Sequence, residues 1–120
     1  MSVFVYDYDH NASTLKDLEE THQKMFLMIR KKKPDLPILI LSRPKYQLTE
    51  EERKRLAVIK RTYTEAIAAK DNHTFFIDGP TLMQYAKNEG TVDGCHPNDL
   101  GFYSMANVLI PQLRALIASV

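Results

Sequence analysis

Short apolar runs alternate with longer amphipathic segments along this chain. The apolar runs cover residues 3–6, 37–41 and 75–77, and each ends in polar or turn-forming residues. Continuous apolar runs of this length, rich in β-branched and aromatic side chains, predict strands that are buried on both faces. Because strands and helices alternate, we expect right-handed crossovers over a parallel sheet and an α/β fold with three layers.

The segments between the runs have the apolar spacing and the caps of helices. Thr14 and Thr49 are the predicted N-caps, the second in a capping box with Glu52, and Pro34 should end the first helix. A short helical piece is expected over 82–87 and a polar loop over 88–98. The predicted core positions are Leu15, Leu18, His22, Met25 and Ile29 in the first helix, Leu56, Ile59, Tyr63 and Ile67 in the second, and Phe102, Met105, Leu109, Leu113 and Leu116 in the last, which should begin near Asp99.

Composition narrows the class of protein. With 120 residues, 44% of them hydrophobic and 26% charged, the chain is expected to form one domain over residues 1–120. A net charge of +1 argues against nucleic acid as a partner, since phosphates require a basic face. The one basic run, residues 30–33, is expected to be a solvated helix C-terminus.

Other features say little about cellular location. No apolar run approaches the roughly 20 residues of a membrane span. The first ten residues lack the basic start of a signal peptide. One cysteine, Cys95, excludes an internal disulfide but does not indicate a compartment.

The candidate chemistry lies where strands end, because ligands bind beyond the carboxyl ends of parallel strands. In the polar loop, Asp93 precedes His96 by three residues, across Gly94 and ahead of Pro97. This spacing allows the carboxylate to meet the imidazole Nδ1, which fixes the tautomer and leaves Nε2 as a base. The same residues are also typical of a plain turn before a helix, so spacing alone leaves both readings open.

The Asp-Gly-x-His-Pro block, with its following Gly and final amphipathic helix, resembles the last conserved block of the SGNH (GDSL-type) hydrolases. The resemblance implies that Asp93 and His96 are two members of a Ser-His-Asp triad. Residues 6–12 are similar to the family's third block, which implies that Asn11 helps to form the oxyanion hole. It also implies a flavodoxin-like SGNH fold, of which this chain would be the C-terminal portion.

The chain departs from the family pattern in what it lacks. The Gly-Asp-Ser block that carries the nucleophile is absent, and so is the second block. None of the serines stands in such a context: Ser2, Ser13, Ser42, Ser104 and Ser119. The Gly-x-Asn-Asp pattern around Asn11 is not kept either, since Ala12 stands where the Asp would be. We therefore expect a sheet without its first strands, a serine outside this chain, and little activity from the chain alone.

The expected function is that of a serine esterase or acylhydrolase. Family habit suggests acyl esters of carbohydrates as substrates, with Tyr8, His10 and Arg43 as substrate-binding residues. No cofactor or metal is expected, because His10, Asp93 and His96 lack the spacing of metal ligands. Cys95 and His96 are adjacent and should point apart in a loop, so direct activation of the thiol is not expected.

Two alternatives remain open. Asp7 and Asp9 follow an apolar strand as in haloacid dehalogenase-type phosphatases, with Ser42 at the end of the next strand. Such a site needs more carboxylates for Mg²⁺, and only Asp78 is available. The second alternative is a non-catalytic, oligomerising half-domain. A bare edge at the first strand would recruit another chain, and we expect a homodimer there.

Overall fold

The computed structural model describes residues 2–118, which form a parallel three-stranded sheet between two layers of helices. Strand β1 (Phe4–Asp7) pairs with β2 (Ile38–Leu41), and β2 pairs with β3 (Thr74–Ile77). The helices are α1 (Leu15–Lys32), α2 (Glu50–Ala68), α3 (Gly79–Leu82) and α4 (Asp99–Ala118), with short 3-10 segments at Asp9–Asn11 and Lys87–Gly90. The predicted α/β fold and its three layers are confirmed.

The central strand β2 divides the core into two halves. Ile38 and Ile40 belong to a cluster with buried side chains of α1 and α2. Leu39 and Leu41 belong to a second cluster, with α3 and α4, on the opposite face. All four side chains are at most 2% exposed. The strand is therefore apolar throughout because both of its faces are covered.

Helix α1 follows its predicted caps but presents a different face to the core. The Thr14 hydroxyl accepts a hydrogen bond from the Asp17 amide at 3.0 Å, as expected of an N-cap. Leu18 and Phe26 are buried, whereas Met25 is exposed. The prediction for Met25 is wrong because the next residue, Phe26, lies closer to the line of Leu18 and His22 on the helix.

His22 is the hydrogen-bonded core histidine that its position predicts. Its side chain is fully buried, its Nδ1 lies 2.7 Å from the Thr62 hydroxyl, and its ring stacks on Tyr6. Burial lowers the pKa of His22 to about 4, because a buried imidazolium loses its hydration. The neutral form is therefore part of the folded core.

This burial predicts a pH-dependent stability. Below the ordinary pKa near 6.5, His22 is protonated in the unfolded chain but stays neutral in the folded chain down to about pH 4. Stability should therefore be full above about pH 6.5 and fall by about 3 kcal/mol by pH 4. Urea unfolding at pH 7.5, 5.5 and 4.5 measures it. Partial burial and the charge of Arg43 also hold the pKa of His10 below its usual value. Protonation of His10 should therefore also lower the free energy of unfolding as the pH falls.

The variant His22→Gln isolates the contribution of the core histidine. It should be less stable at pH 7.5 and lose less further stability on acidification than the parent chain. The pKa of Glu52 is depressed to about 2, so that carboxylate matters only below about pH 4.5. Equal losses in the parent and in His22→Gln between pH 7.5 and 4.5 would contradict the assignment.

Arg30 is not the solvated residue that the basic run predicts. Its guanidinium donates to the Asp71 carboxylate at 2.8 Å, the Leu36 carbonyl at 2.6 Å, the Thr74 hydroxyl at 2.9 Å and the His73 carbonyl at 3.2 Å. Lys31, Lys32 and Lys33 are exposed, as expected. Arg30 thus ties the end of α1 to the start of β2 and β3, at the amino edge of the sheet.

Helix α2 has the predicted capping box and a different buried face. Thr49 and Glu52 each accept a hydrogen bond from the other's amide. The residues that are buried are Glu52, Arg55, Ile59, Thr62 and Ala66. Ile67 is exposed, so its predicted core position is wrong, and Leu56 and Tyr63 are only half-buried. The helix is turned toward polar partners in the segment after β1 and on α1, which an apolar periodicity does not reveal.

The segment between β3 and α4 also differs in detail. Instead of one helical piece over 82–87, a single turn of helix at Gly79–Leu82 is followed by a 3-10 segment at Lys87–Gly90. Asp78 caps the first by accepting from the Thr81 amide at 2.8 Å. Helix α4 begins at Asp99, as predicted, with Leu116 buried but Phe102 exposed. Phe102 lies outside the strip of α4 that meets the sheet. Within residues 2–118, no helix is long and apolar enough to cross a membrane.

The outer edge of β1 carries a prediction about oligomeric state. Within residues 2–118, β1 pairs with β2 alone, and Val5 is exposed beside its free backbone groups. We expect a two-fold dimer through this edge at micromolar concentration, measured by light scattering. Val5→Lys should give a monomer, whereas Ile67→Lys on α2 should not change the mass. A monomeric parent chain would contradict the homodimer.

Candidate active site

Three segments follow the carboxyl ends of the strands and meet at one edge of the sheet. Residues 9–12, here the 9–12 turn, come after β1, and Ser42 and Arg43 come after β2. The third segment, residues 91–98, leads into α4 and is here the 91–98 loop. It touches the 9–12 turn where the Cys95 Sγ lies 3.7 Å from the His10 Nδ1.

Within the 91–98 loop, the Asp93 carboxylate gathers three donors. Its Oδ2 lies 2.7 Å from the His96 Nδ1, and its Oδ1 accepts from the backbone amides of His96 at 2.7 Å and Cys95 at 3.0 Å. The amide of His96, then its ring, then the amide of Cys95 hold the pKa of Asp93 well below its usual range. The predicted contact between Asp93 and His96 is present, and the carboxylate is ionised at neutral pH.

Backbone geometry makes this contact a built feature of the loop. Gly94 has a φ of 78°, a left-handed conformation that favours glycine and lets the chain turn back between Asp93 and Cys95. Thr91 and Pro97 form an antiparallel bridge, and the Val92 amide donates to the His96 carbonyl at 2.9 Å. The loop is therefore closed on itself around the pair.

Asn98 anchors the loop to α4, a role that the sequence reasoning missed. Its side chain accepts from the Gly101 amide at 2.9 Å and donates to the Glu89 carbonyl at 2.8 Å. Gly101 packs against the Gly90 backbone so closely that a Cβ there would lie 2.1 Å from the Gly90 oxygen. An Asn immediately before a helical segment is an N-cap signal, and that signal could have found this residue.

The pair is open to solvent on the side that chemistry would use. The side chains of His96 and Asp93 are 76% and 51% exposed. Among residues 2–118, no hydrogen-bond partner lies on Nε2 of His96. An imidazole that is oriented at Nδ1 by a carboxylate and free at Nε2 can take a proton from an approaching hydroxyl.

The 9–12 turn is held by a buried carboxylate and two arginines. Asp9 is 1% exposed and accepts from Arg55 Nε at 2.6 Å and Arg43 Nη2 at 3.3 Å. Arg55 also donates to the carbonyls of Asp9 and Ala12. Sequence reasoning missed Arg55, because an arginine among helical charges gives no sign that it is buried.

A second carboxylate balances this cluster. Glu52 accepts from Arg43 at 3.1 Å and from Lys45 at 2.8 Å. Burial alone would raise the pKa of Glu52, but hydrogen bonds from Lys45 and Thr49 outweigh it and lower the pKa to about 2. The Arg43 side chain is thus paired with two carboxylates, and its predicted contact with substrate stays a prediction.

The remaining predicted residues divide between surface and core. Asn11 and His10 are exposed on the 9–12 turn, next to the 91–98 loop. Tyr8 is half-buried and packs against Tyr6 and His22, with ring centroids 5.9 and 6.2 Å away. The contact between His10 and Cys95 brings Asn11 to the same edge as His96. The roles of Asn11, His10 and Tyr8 remain predictions.

Three of the serines that the structure describes have partners other than His96, and Ser2 is exposed. Ser42 is buried and accepts from the Gly79 amide at 2.6 Å, and Ser104 is buried and donates to the Leu82 carbonyl at 2.7 Å. Ser13 donates to the Asp17 carboxylate. Ser119 lies outside the described residues. Over residues 2–118, no serine hydroxyl is hydrogen-bonded to His96.

Asp9, the proposed general acid of the phosphatase alternative, is poorly placed for that role. Asp9 is buried and neutralised by Arg43 and Arg55, so it cannot serve as a general acid at the surface. Residues 2–118 hold no group of three His, Cys, Asp or Glu side chains placed to bind a metal ion. The Asp93–His96 pair is the candidate catalytic pair at this edge, with the orientation that the base of a Ser-His-Asp triad requires.

Comparisons with known proteins agree with this class. The model of the GDSL-like Lipase/Acylhydrolase family matches residues 1–114. The crystal structure of a protein described as a GDSL-like lipase from Bacteroides ovatus ATCC 8483 is similar to this chain, with 24% sequence identity and a TM-score of 0.78. That match covers 98% of this chain and 36% of the lipase chain. Salicylyl-acyltransferase SsfX3 from a tetracycline biosynthetic pathway is 15% identical with a TM-score of 0.71, covering 96% and 38%. No curated protein sequence matches the chain.

The chain belongs to the GDSL-like lipase/acylhydrolase family. This confirms the resemblance drawn from residues 93–97, and the two solved structures confirm the fold. The chain spans a little over a third of the length of each of those two proteins.

Proposed function

We propose that this chain supplies the base side of a serine acylhydrolase active site, with the serine provided from outside residues 1–120. The observation that carries the proposal is the 2.7 Å contact between Asp93 and the Nδ1 of His96, with Nε2 facing solvent. In this scheme His96 is the general base, Asp93 orients it, and Asn11 donates to the oxyanion.

The reaction would run in two half-reactions. The serine hydroxyl gives its proton to Nε2 of His96 as its oxygen attacks the ester carbonyl, and Asp93 stabilises the imidazolium that forms. The Asn11 amide donates to the negative oxygen of the tetrahedral intermediate. The imidazolium then protonates the leaving alcohol, and a water molecule, activated by the same imidazole, releases the acid.

The proposed substrates are esters, with acyl esters of carbohydrates as the narrower candidate. The two structural relatives, a lipase and a salicylyl acyltransferase, are both named for acyl chemistry. His10 is the best placed of the proposed substrate contacts, because it is exposed and adjoins the 91–98 loop. Tyr8 and Arg43 would act from behind it, where they are packed and paired.

The test compares two proteins. One is the 120-residue chain, and the other is the product of the longest reading frame that contains it, here the extended protein. On p-nitrophenyl acetate the chain alone should hydrolyse no faster than free imidazole at equal concentration, because it lacks a nucleophile next to His96. The extended protein should hydrolyse the ester and react with a fluorophosphonate at a serine of a Gly-Asp-Ser segment.

Two outcomes would overturn the proposal. Rapid hydrolysis by the chain alone, abolished by Ser42→Ala, would place the nucleophile within the chain. A reading frame that begins at Met1, or one without a labelled serine, would leave His96 without a nucleophile. The phosphatase alternative is tested separately: the chain should show no phosphatase activity when Mg²⁺ is added. Phosphatase activity that is lost in Asp7→Asn would support that alternative instead.

A further inference from the structure

We propose that Arg55 is a positioning residue for this site: it holds the 9–12 turn in the shape that presents His10 and Asn11 to the 91–98 loop. The inference rests on the proposed function for the role of Asn11. The placement of the turn itself depends only on contacts of the folded chain.

The contacts of Arg55 bracket the two exposed residues of the turn. One guanidinium donates to the Asp9 carboxylate, to the Asp9 carbonyl and, at 2.7 Å, to the Ala12 carbonyl. His10 and Asn11 lie between these acceptors in the sequence. Because the guanidinium is planar and rigid, it fixes the relative positions of all three acceptors.

The turn has few bonds of its own to keep that shape. Its first residue is preceded by Tyr8, whose side chain makes no capping hydrogen bond. The Asn11 amide donates to the Tyr8 carbonyl at 3.0 Å, but the Ala12 amide reaches the Asp9 carbonyl only at 3.4 Å, near the limit of a hydrogen bond. A single short 3-10 turn is weak by itself. Arg43 adds one contact, to the Asp9 carboxylate at 3.3 Å, whereas Arg55 reaches the turn from α2 and bonds to it at both ends. Arg55 is therefore the main constraint on its geometry.

A contact between His10 and Cys95 couples the position of the 9–12 turn to the loop that carries His96. His10 lies 3.7 Å from the Cys95 sulfur, and Cys95 stands between Asp93 and His96 in the loop. If the turn shifts, this contact opens and the thiol becomes more accessible. The reactivity of Cys95, the only cysteine in the chain, is therefore a reporter of how the two segments are docked.

Arg30 offers a matched control at the other end of the sheet. Like Arg55, it is a largely buried arginine that donates to a carboxylate and to several carbonyls. Its partners lie at the amino edge, and none of them belongs to the 9–12 turn or the 91–98 loop. Replacing Arg30 therefore perturbs stability without acting on the site directly.

The experiment uses Arg55→Lys and Arg30→Lys in the 120-residue chain. Lysine keeps the positive charge but lacks the planar guanidinium, so it cannot donate hydrogen bonds to three separated acceptors at once. We expect Arg55→Lys to raise the rate of Cys95 alkylation by iodoacetamide at least about fivefold under conditions where both variants are folded. It should also shift the NMR signals of the Asn11 side-chain amide and the His96 imidazole. Arg30→Lys should leave the rate and those signals unchanged.

Two results would overturn the inference: unchanged Cys95 reactivity and unchanged Asn11 and His96 signals in Arg55→Lys, or equal changes in Arg30→Lys. If Arg55→Lys does not fold, hydrogen exchange in the parent chain decides. The backbone amides of Asn11 and Ala12 should then be protected from exchange to the same degree as the Arg55 Nε–H, each relative to its own intrinsic rate. Protection of those amides more than about tenfold weaker would show that the turn moves independently of Arg55.

The extended protein separates this inference from the proposed function. There Arg55→Lys should lower kcat at least about tenfold with little change in KM, because an oxyanion donor acts mainly in the transition state. If Arg55→Lys changes the reactivity of Cys95 but not kcat, Arg55 positions the turn but Asn11 has no catalytic role. An inactive extended protein would count against the proposed function alone.

Discussion

His96→Ala should lower the kcat of the extended protein by at least about a thousandfold on p-nitrophenyl acetate. Among the residues that the structure describes, the imidazole is the one base at this edge that is oriented by a carboxylate and open at its second nitrogen. Without it, the serine must lose its proton to water. The thermal midpoint should change little, because the side chain is largely exposed and packs against few neighbours.

Asp93→Asn should cost between about a hundredfold and ten-thousandfold in kcat, because an amide in place of the carboxylate favours the wrong imidazole tautomer. Asp99→Asn is the matched control. That residue is also an exposed acid close to the loop, in the first turn of α4. It should leave kcat within about twofold. Equal losses in Asp93→Asn and Asp99→Asn, or an unaffected His96→Ala, would reject the Asp–His pair as catalytic machinery.

Gly79→Ala should destabilise the chain by more than about 3 kcal/mol, above the usual cost of overpacking. A Cβ at Gly79 would lie 1.5 Å from the Arg43 carbonyl oxygen, which belongs to the backbone after β2 and cannot rotate away. The Gly79 amide also donates to Ser42 at 2.6 Å, so the two chain segments must separate and lose this bond. Urea unfolding measures the free energy.

Gly94→Ala is the comparison for that substitution. Nothing lies within 4 Å of a Cβ at Gly94, and the cost there comes from its φ of 78° alone. That strain is expected to be about 1 kcal/mol. If Gly79→Ala is no more destabilising than Gly94→Ala, the backbone segments that follow β2 and β3 can move apart more easily than their close packing indicates.

The part of the site that sequence could predict is local. Asp93 and His96 are three residues apart, and their contact depends on Gly94 and on hydrogen bonds inside one loop. The three strands could likewise be read from composition, because each is an apolar run bounded by polar residues. In both cases the relevant physics acts within a few residues of the chain.

The part that could not be predicted depends on distant partners. Arg55 and Asp9 are 46 residues apart, and neither shows in sequence that it is buried with the other. For the same reason the apolar period of α2 predicts a buried stripe of Leu56, Ile59, Tyr63 and Ile67, of which only Ile59 is fully buried. The buried face follows the ion pair instead, so Ile67 is left exposed.

The register of the sheet has a consequence for how this chain folds. Phe4 pairs with Ile38 and Ile38 pairs with Thr74, so each strand pairing joins residues more than thirty positions apart. No strand pair can form by a local hairpin, and both crossovers must close before β2 gains its neighbours. We expect α1 and α2 to form early and the sheet late, with folding in milliseconds to seconds. Until the sheet forms, the apolar side chains of β2 are not covered by α1, α2 and α4, which makes dilute, cool refolding the favourable condition.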